Sequence, residues 1–117
     1  MSSSQVSVII AARNAESFIQ ETLESFRGLD HILEIVVVHD HSTDGTLALV
    51  QGLVTTLGLP LRVIDADGKQ ALGAAEARNL GAHASLGDIL WFFDADDICE
   101  LTAPDPRLPL LSRAITS

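Results

Sequence analysis

The sequence has one cysteine, no tyrosine and few basic residues. Because Cys99 has no second cysteine to pair with, an intramolecular disulfide is excluded, which favours a reducing compartment such as the cytoplasm. Seven Lys and Arg oppose sixteen Asp and Glu, and the formal net charge is −9. Such a charge repels a phosphate backbone at long range, and basic patches interleaved with aromatic residues are also missing. We therefore expect no nucleic acid partner.

Long apolar runs are missing as well. None approaches the roughly 20 residues that a membrane-spanning helix needs, and the first five residues, Met-Ser-Ser-Ser-Gln, carry no positive charge of the kind that opens a secretory signal. The 117 residues are 47% hydrophobic, which is enough for one core. We expect a single domain over residues 1–117, soluble and cytoplasmic, without a membrane span.

Apolar runs of strand length alternate with segments of helical periodicity. The predicted strands are 6–12, 35–38, 61–65 and 89–93, and the predicted helices are 15–27, 46–57 and 73–85. Asn14 is placed to cap the first helix. Strands that alternate with helices form right-handed crossovers and a parallel sheet. The sequence thus predicts an α/β, Rossmann-like parallel sheet of about four strands, buried on both faces by helices.

Residues 98–117 carry three prolines before a final apolar stretch. Asp105 and Pro106 suit the N-cap and first position of a helix, so we predict a short closing helix there. Its apolar positions would cover the fourth strand, which is otherwise an exposed hydrophobic sheet edge. Self-association is the other way to cover such an edge, and we expect a homo-oligomer.

Three carboxylates, Asp94, Asp96 and Asp97, follow the fourth strand directly. Acids this close repel one another unless a cation, hydrogen-bond donors or solvent neutralise them. A divalent metal site is one interpretation, and a solvated polar loop is the other. In open parallel sheets ligands bind beyond the carboxyl ends of the strands, where the turns after the other strands also bring polar residues. Neither GxGxxG nor GxxxxGK[ST] is present, so dinucleotide and P-loop sites have no support.

Three segments of the chain stand out together: VSVIIAARNAESFIQETLESF, EIVVVHDHSTDGT and ARNLGAHASLGDILWFFDADD. In order and spacing they resemble the nucleotide-sugar-binding half of the family 2 inverting glycosyltransferases, whose fold is called GT-A. By this resemblance, Asp94 and Asp96 correspond to the family's DXD motif, and Asp97 is a further candidate metal ligand. The resemblance implies a Mn²⁺ or Mg²⁺ ion that bridges the diphosphate of a nucleotide sugar, of UDP type. Hard cations of this kind take oxygen ligands.

The same resemblance implies nucleotide contacts at seven positions: Ala11, Arg13, Asn14, His39, Asp40, Arg78 and Asp94. Alternatives stay open for some of them. Arg78 could be a solvated helix cation paired with Glu76 or Asp88. His39, together with His41, could be a solvated loop imidazole or a metal ligand. For Asp44, in the same loop, capping of the next helix is an equally good account.

The chain departs from the family pattern at two places. Ala11-Ala12-Arg13-Asn14 stands where a run such as Pro-Thr-Tyr-Asn is common, and His39-Asp40-His41 stands where two acids and a small residue are common. The family's acceptor-binding segments and general base lie beyond the acidic motif, so no catalytic residue is assigned. We expect a truncated GT-A-like domain that binds a nucleotide diphosphate or nucleotide sugar with a divalent cation and, if active, transfers a hexosyl group. The alternative is a non-catalytic remnant that serves as an interaction or regulatory module.

Overall fold

The computed structural model describes residues 5–29, 31–66 and 70–96. The elements, in chain order, are β1 (Val6–Ala12), α1 (Ile19–Glu24), β2 (Ile32–His39), α2 (Thr46–Thr56), β3 (Leu61–Asp65), α3 (Ala74–Ala84) and β4 (Ile89–Asp94). All strand pairings are parallel, and the order across the sheet is β3-β2-β1-β4. The predicted α/β parallel sheet is confirmed.

Helices cover both faces of the sheet, as predicted. Side chains alternate along β1, so Val8 and Ile10 pack in one core with Leu23 of α1 and Val50 of α2. Ile9 faces the opposite way, where Ala77 of α3 covers it. Among the described helices, two therefore cover one face and one covers the other.

Small residues let α3 approach the sheet closely. A Cβ atom built on Gly81 would lie 2.6 Å from Ile9 Cγ2 and 3.0 Å from Val38 Cγ2. Contacts below 3 Å do not occur for real side chains, so this crossing requires glycine. The short distance between helix and sheet places the first turn of α3 beside the carboxyl ends of β1 and β4.

The first helix is shorter than predicted and has no side-chain cap. Asn14 adopts a left-handed backbone conformation with φ +52°, and its side chain binds Thr43 instead of the helix. The Ala15 carbonyl accepts the N–H groups of Phe18 and Ile19, so a turn precedes the first helical residue. The prediction that Asn14 caps the helix is therefore wrong, because the loop after β2 takes its side chain.

The strand β4 lies at an edge of the sheet and pairs only with β1 among the described strands. Trp91 is buried, whereas Phe92 and Phe93 are half-buried, so the prediction of burial on both faces is wrong for this strand. The strand also extends one residue further than predicted, because Asp94 pairs with Ala11. Residues 98–117 and Asp97 lie outside the described residues, and the closing helix, the homo-oligomer and the cytoplasmic location stay predictions.

A buried carboxylate ties the opposite, amino-terminal ends of the strands together. Glu34 accepts hydrogen bonds from Ser7 Oγ at 2.7 Å, Arg62 Nη2 at 2.8 Å and the Leu86 N–H at 2.7 Å. Burial alone would raise the pKa of Glu34, but these hydrogen bonds and the positive charge of Arg62 hold it below its ordinary value of 4.5. Glu34 is thus an ionised group that links three strands to the loop before β4.

The longest helices in the described ranges, α2 and α3, have 11 residues each. No helix there has both the length and the apolar character that crossing a bilayer requires.

Candidate functional site

A cavity of about 360 Å³ opens where the strands end at their carboxyl side. Residues 11–15 and Phe18 line one wall, and the first residues of α3 with Asp40 line another. The turn at residues 94–96 completes the lining. This is the edge of a parallel sheet at which ligands are expected.

The cavity brings together most of the predicted site residues. Six of the seven predicted nucleotide contacts line it, and so does Asp96; the six are Ala11, Arg13, Asn14, Asp40, Arg78 and Asp94. His39 is not part of the lining, and Asp97 lies outside the described residues. Four separate segments of the chain contribute, so the convergence results from the fold and not from sequence proximity.

An ion pair holds the turn at residues 94–96, here called the acidic turn, from the α3 side. Arg78 Nη2 lies 2.8 Å from Asp94 Oδ1, so the alternative pairing of Arg78 with Glu76 or Asp88 is wrong. Their side chains are 38% and 60% exposed, and a pair this accessible contributes at most about 1 kcal/mol because water screens it. The ion pair is therefore a weak restraint on the turn at residues 94–96.

Thr22 holds the same turn from the α1 side. Its hydroxyl donates to the Ala95 carbonyl at 2.7 Å, and the residue is completely buried. Sequence reasoning missed this residue. The available signal was a hydroxyl within the apolar stripe formed by Ile19, Leu23 and Phe26, which runs from α1 into the turn after it, since a polar group on a core-facing position needs a partner.

Asp40 fixes the start of α3 from the floor of the cavity. It is 3% exposed, and its carboxylate accepts the N–H groups of Leu72 at 2.8 Å and Gly73 at 2.9 Å. Burial alone would raise the pKa of Asp40, but these two bonds and a third from His41 hold it below its ordinary value of 3.8. The carboxylate therefore stays ionised and anchors the loop that leads to α3.

His41 has an unusual backbone conformation for a residue with a side chain. Its φ is +56°, in the left-handed region that glycine adopts with least cost. Glycine would suit this position best, because it has no Cβ atom to oppose the left-handed conformation. In this chain the imidazole instead extends to Asp40, with 2.8 Å between Nδ1 and Oδ1.

His39 is buried, with 6% of its surface exposed, so the prediction of a solvated loop imidazole is wrong for it. The Ser42 N–H donates to Nε2 at 3.2 Å, so the proton of the neutral ring lies on Nδ1, which is 2.8 Å from Asp65 Oδ1. Both ring nitrogens thus bind protein groups. His39 supports the loop after β2 from behind the cavity.

Backbone and side-chain bonds join the loop after β1 to the loop after β2. The N–H groups of Asn14 and Ala15 donate to the hydroxyls of Ser42 and Thr46, each at 2.8 Å. In return, Asn14 Oδ1 accepts the Thr43 N–H at 2.7 Å. The hydroxyl residues of the HDHSTDGT segment therefore shape the cavity wall at residues 13–15.

Asp44 belongs to the same junction. Its carboxylate accepts the N–H of Thr46, the first residue of α2, at 3.0 Å and the N–H of Glu16 at 3.3 Å. The hydrogen bond from the Thr46 hydroxyl is the main reason why the pKa of Asp44 lies below its ordinary value. This geometry favours the helix-capping account of Asp44 over a ligand contact.

The described residues offer oxygen ligands for a cation but no complete protein cage. Within residues 5–29, 31–66 and 70–96, no group of three or more His, Cys, Asp or Glu could hold a metal ion. Asp94 and Asp96 both line the cavity. A Mg²⁺-type ion commonly takes one or two carboxylates and completes its shell with water and substrate phosphates. The two carboxylates therefore fit a cation that is shared with a phosphate-bearing ligand.

Comparison with known proteins gives one consistent result. The family model described as glycosyl transferase family 2 matches residues 7–110. An uncharacterized glycosyltransferase of Haemophilus influenzae is 35% identical over 96 residues, which cover 81% of this chain and 29% of that protein.

Two solved structures show the same fold. TarS 1-349 of Staphylococcus aureus in complex with UDP-GlcNAc has a TM-score of 0.70 and 33% identity, covering 80% of this chain and 27% of that one. The mannosyltransferase PcManGT from Pyrobaculum calidifontis, in complex with GDP-Man and Mn²⁺, has a TM-score of 0.74 and 30% identity, covering 84% and 29%. The chain thus spans less than a third of each of these proteins. With the parallel sheet, the acidic turn and the matched segments in agreement, the chain belongs to glycosyl transferase family 2 and has the GT-A fold.

Proposed function

We propose that this domain binds a nucleotide sugar of UDP type, together with Mn²⁺ or Mg²⁺, in the cavity at the carboxyl ends of the strands. The observation that carries the proposal is the convergence of six predicted nucleotide contacts and Asp96 around one cavity. Its volume, about 360 Å³, lies within the usual range for small-molecule sites. The related structures with UDP-GlcNAc, and with GDP-Man and Mn²⁺, support the ligand class.

The charges around the cavity explain why a cation belongs to the proposal. Asp40, Asp94 and Asp96 line it against Arg13 and Arg78, so acids outnumber bases. A diphosphate would be repelled by this excess, whereas a divalent cation held by Asp94 and Asp96 reverses the local sign. When bound, the cation supplies neutralisation of the charge that develops on a departing diphosphate.

The protein residues have separate tasks in this proposal. Asp94 and Asp96 would hold the cation, and Arg78 orients Asp94 until the ligand arrives. Asp40 holds the start of α3 and so keeps the wall that carries Arg78 in place. The junction of the two loops positions Arg13 at the mouth of the cavity. None of these tasks requires a residue to take up a proton.

Hexosyl transfer is the reaction that family membership suggests, and it would need a general base within hydrogen-bond reach of the acceptor hydroxyl. No residue in the described ranges is assigned to that role. The proposal therefore concerns binding of the donor, and transfer by the chain is a further step that assays with UDP-sugars would address.

Calorimetric titration of UDP into the purified chain, with and without Mn²⁺, tests the proposal. We expect binding that depends on Mn²⁺ and weakens at least about tenfold in Asp96→Ala, since one of two carboxylate ligands is lost. Glu24→Ala removes an exposed carboxylate outside the cavity and should bind as the unaltered protein does. Absence of heat with a folded protein would contradict the proposal and favour the interaction module. GDP and ADP, titrated in parallel, test the preference for uridine.

A further inference from the structure

Two described side chains hold the acidic turn, one from each face of the sheet; each contact is called an anchor below. Arg78 of α3 pairs with the Asp94 carboxylate, and Thr22 of α1 donates to the Ala95 carbonyl. The first anchor is exposed and holds a side chain. The second joins the buried Thr22 to the half-buried Ala95 and holds the backbone between Asp94 and Asp96, so it determines the orientation of the peptide itself.

The position of the Thr22 hydroxyl is supported by packing between the turn after α1 and β4. Phe26 follows α1 and lies edge-on against Phe93, with ring centroids 4.9 Å apart, and against Trp91, at 6.4 Å. Thr22 and Phe26 are both buried, at 0% and 2% exposure. The aromatic contacts thus hold the end of the α1 segment on the strand that leads into the acidic turn.

The Thr22 hydroxyl serves the turn and not its own helix. In helices, Thr side chains often bond back to a carbonyl one turn earlier, whereas this hydroxyl reaches Ala95, 73 residues away in sequence. Valine has nearly the same shape and would fill the buried position without the need for a partner. The hydroxyl is therefore the feature of Thr22 that packing does not explain.

We propose that Thr22 is a positioning residue for the acidic turn, and that its bond to the Ala95 carbonyl keeps Asp94 and Asp96 directed at the cavity for cation binding. The inference rests on the proposed function and deepens it. Two neighbouring carboxylates repel each other and gain solvation by turning outward. Holding the peptide between them removes that freedom in advance, so less conformational entropy is lost when the cation binds.

The test titrates Mn²⁺ into the purified chain with a fixed amount of UDP and measures free Mn²⁺ by electron paramagnetic resonance. Thr22→Val removes the hydroxyl and keeps the shape, and we expect half-saturation at about tenfold higher Mn²⁺, the effect of losing one hydrogen bond and leaving its acceptor unpaired. Thr22→Ser keeps a hydroxyl and should restore affinity to within about threefold. Thr22→Ala deletes the hydroxyl without a branched replacement and should behave as Thr22→Val does.

Ile19→Val separates positioning from general loosening of α1. Ile19 is completely buried on the same helix, and trimming one methylene weakens packing without touching the hydroxyl. We expect it to lower the urea midpoint but leave the Mn²⁺ dependence unchanged. Equal Mn²⁺ affinity in Thr22→Val and the unaltered chain would overturn the inference, and so would an equal loss in Ile19→Val. Absence of Mn²⁺-dependent UDP binding in the unaltered chain would instead refute the proposed function.

Discussion

Replacement of Glu34 by glutamine should separate the stability of the sheet from the binding site at its other end. Glu34 is buried, and its carboxylate accepts three hydrogen bonds, from Ser7, Arg62 and Leu86. Glutamine has the same shape but one oxygen and no charge. Since the cavity lies beyond the carboxyl ends of the strands, this substitution should leave ligand binding unchanged.

The size of the effect follows from the three bonds. If the glutamine oxygen replaces Oε2, the bonds from Ser7 and Leu86 remain but lose the assistance of the charge. The amide NH₂ then faces the Arg62 guanidinium, donor against donor, and that bond is lost. Because the Arg62 side chain is 42% exposed, it regains water, which reduces the cost. We expect Glu34→Gln to lower the free energy of unfolding by about 2–3 kcal/mol.

The effect should also depend on pH. Because the folded-state pKa of Glu34 is lowered, its ionised form contributes stability above the unfolded-state value, and that contribution is lost as pH falls through the lower folded-state value. The difference between the two proteins should therefore be constant from neutral pH to about one unit above 4.5. It should shrink at more acidic pH.

Urea unfolding followed by circular dichroism at several pH values measures this difference. Glu24→Gln is the matched control, because Glu24 is exposed and accepts one hydrogen bond, from Gln20 at 3.2 Å. It should change stability by no more than about 0.5 kcal/mol. A difference for Glu34→Gln that grows on acidification, or one no larger than that of the control, would refute the reasoning.

Three other substitutions test the packing and the loop junction. Gly81→Ala should destabilise the fold by about 1–3 kcal/mol, because its Cβ would lie 2.6 Å from Ile9 Cγ2. Gly52 is also in a helix, but no atom lies within 4 Å of a Cβ built on it, so Gly52→Ala should stabilise the fold by up to about 1 kcal/mol. Thermal melts that show equal stability for the two variants would contradict this account. Thr46→Val should cost about 1–3 kcal/mol, because the buried Ala15 N–H loses its acceptor. Faster hydrogen exchange at that amide checks it, and unchanged protection would show that another group accepts it.

The sequence determined the elements whose signal is local. The strands Val6–Ala12 and Leu61–Asp65 agree with their predicted bounds, because runs of β-branched and apolar residues favour strands wherever they lie. The acidic residues at the end of the fourth strand could also be assigned to the ligand-binding edge, since all strands of a parallel sheet end there.

The tertiary structure decided which partner each polar group takes. Arg78 binds Asp94, 16 residues away, and Thr22 binds Ala95, 73 residues away, and no sequence period relates either pair. The burial of His39 and the loss of the predicted Asn14 cap have the same origin, because His39 Nδ1 pairs with Asp65 at the end of β3 and Asn14 Oδ1 accepts from Thr43 in the loop after β2. Hydrophobic periodicity specifies which face of an element is buried, but hydrogen bonds between distant segments form only after the sheet has brought those segments together.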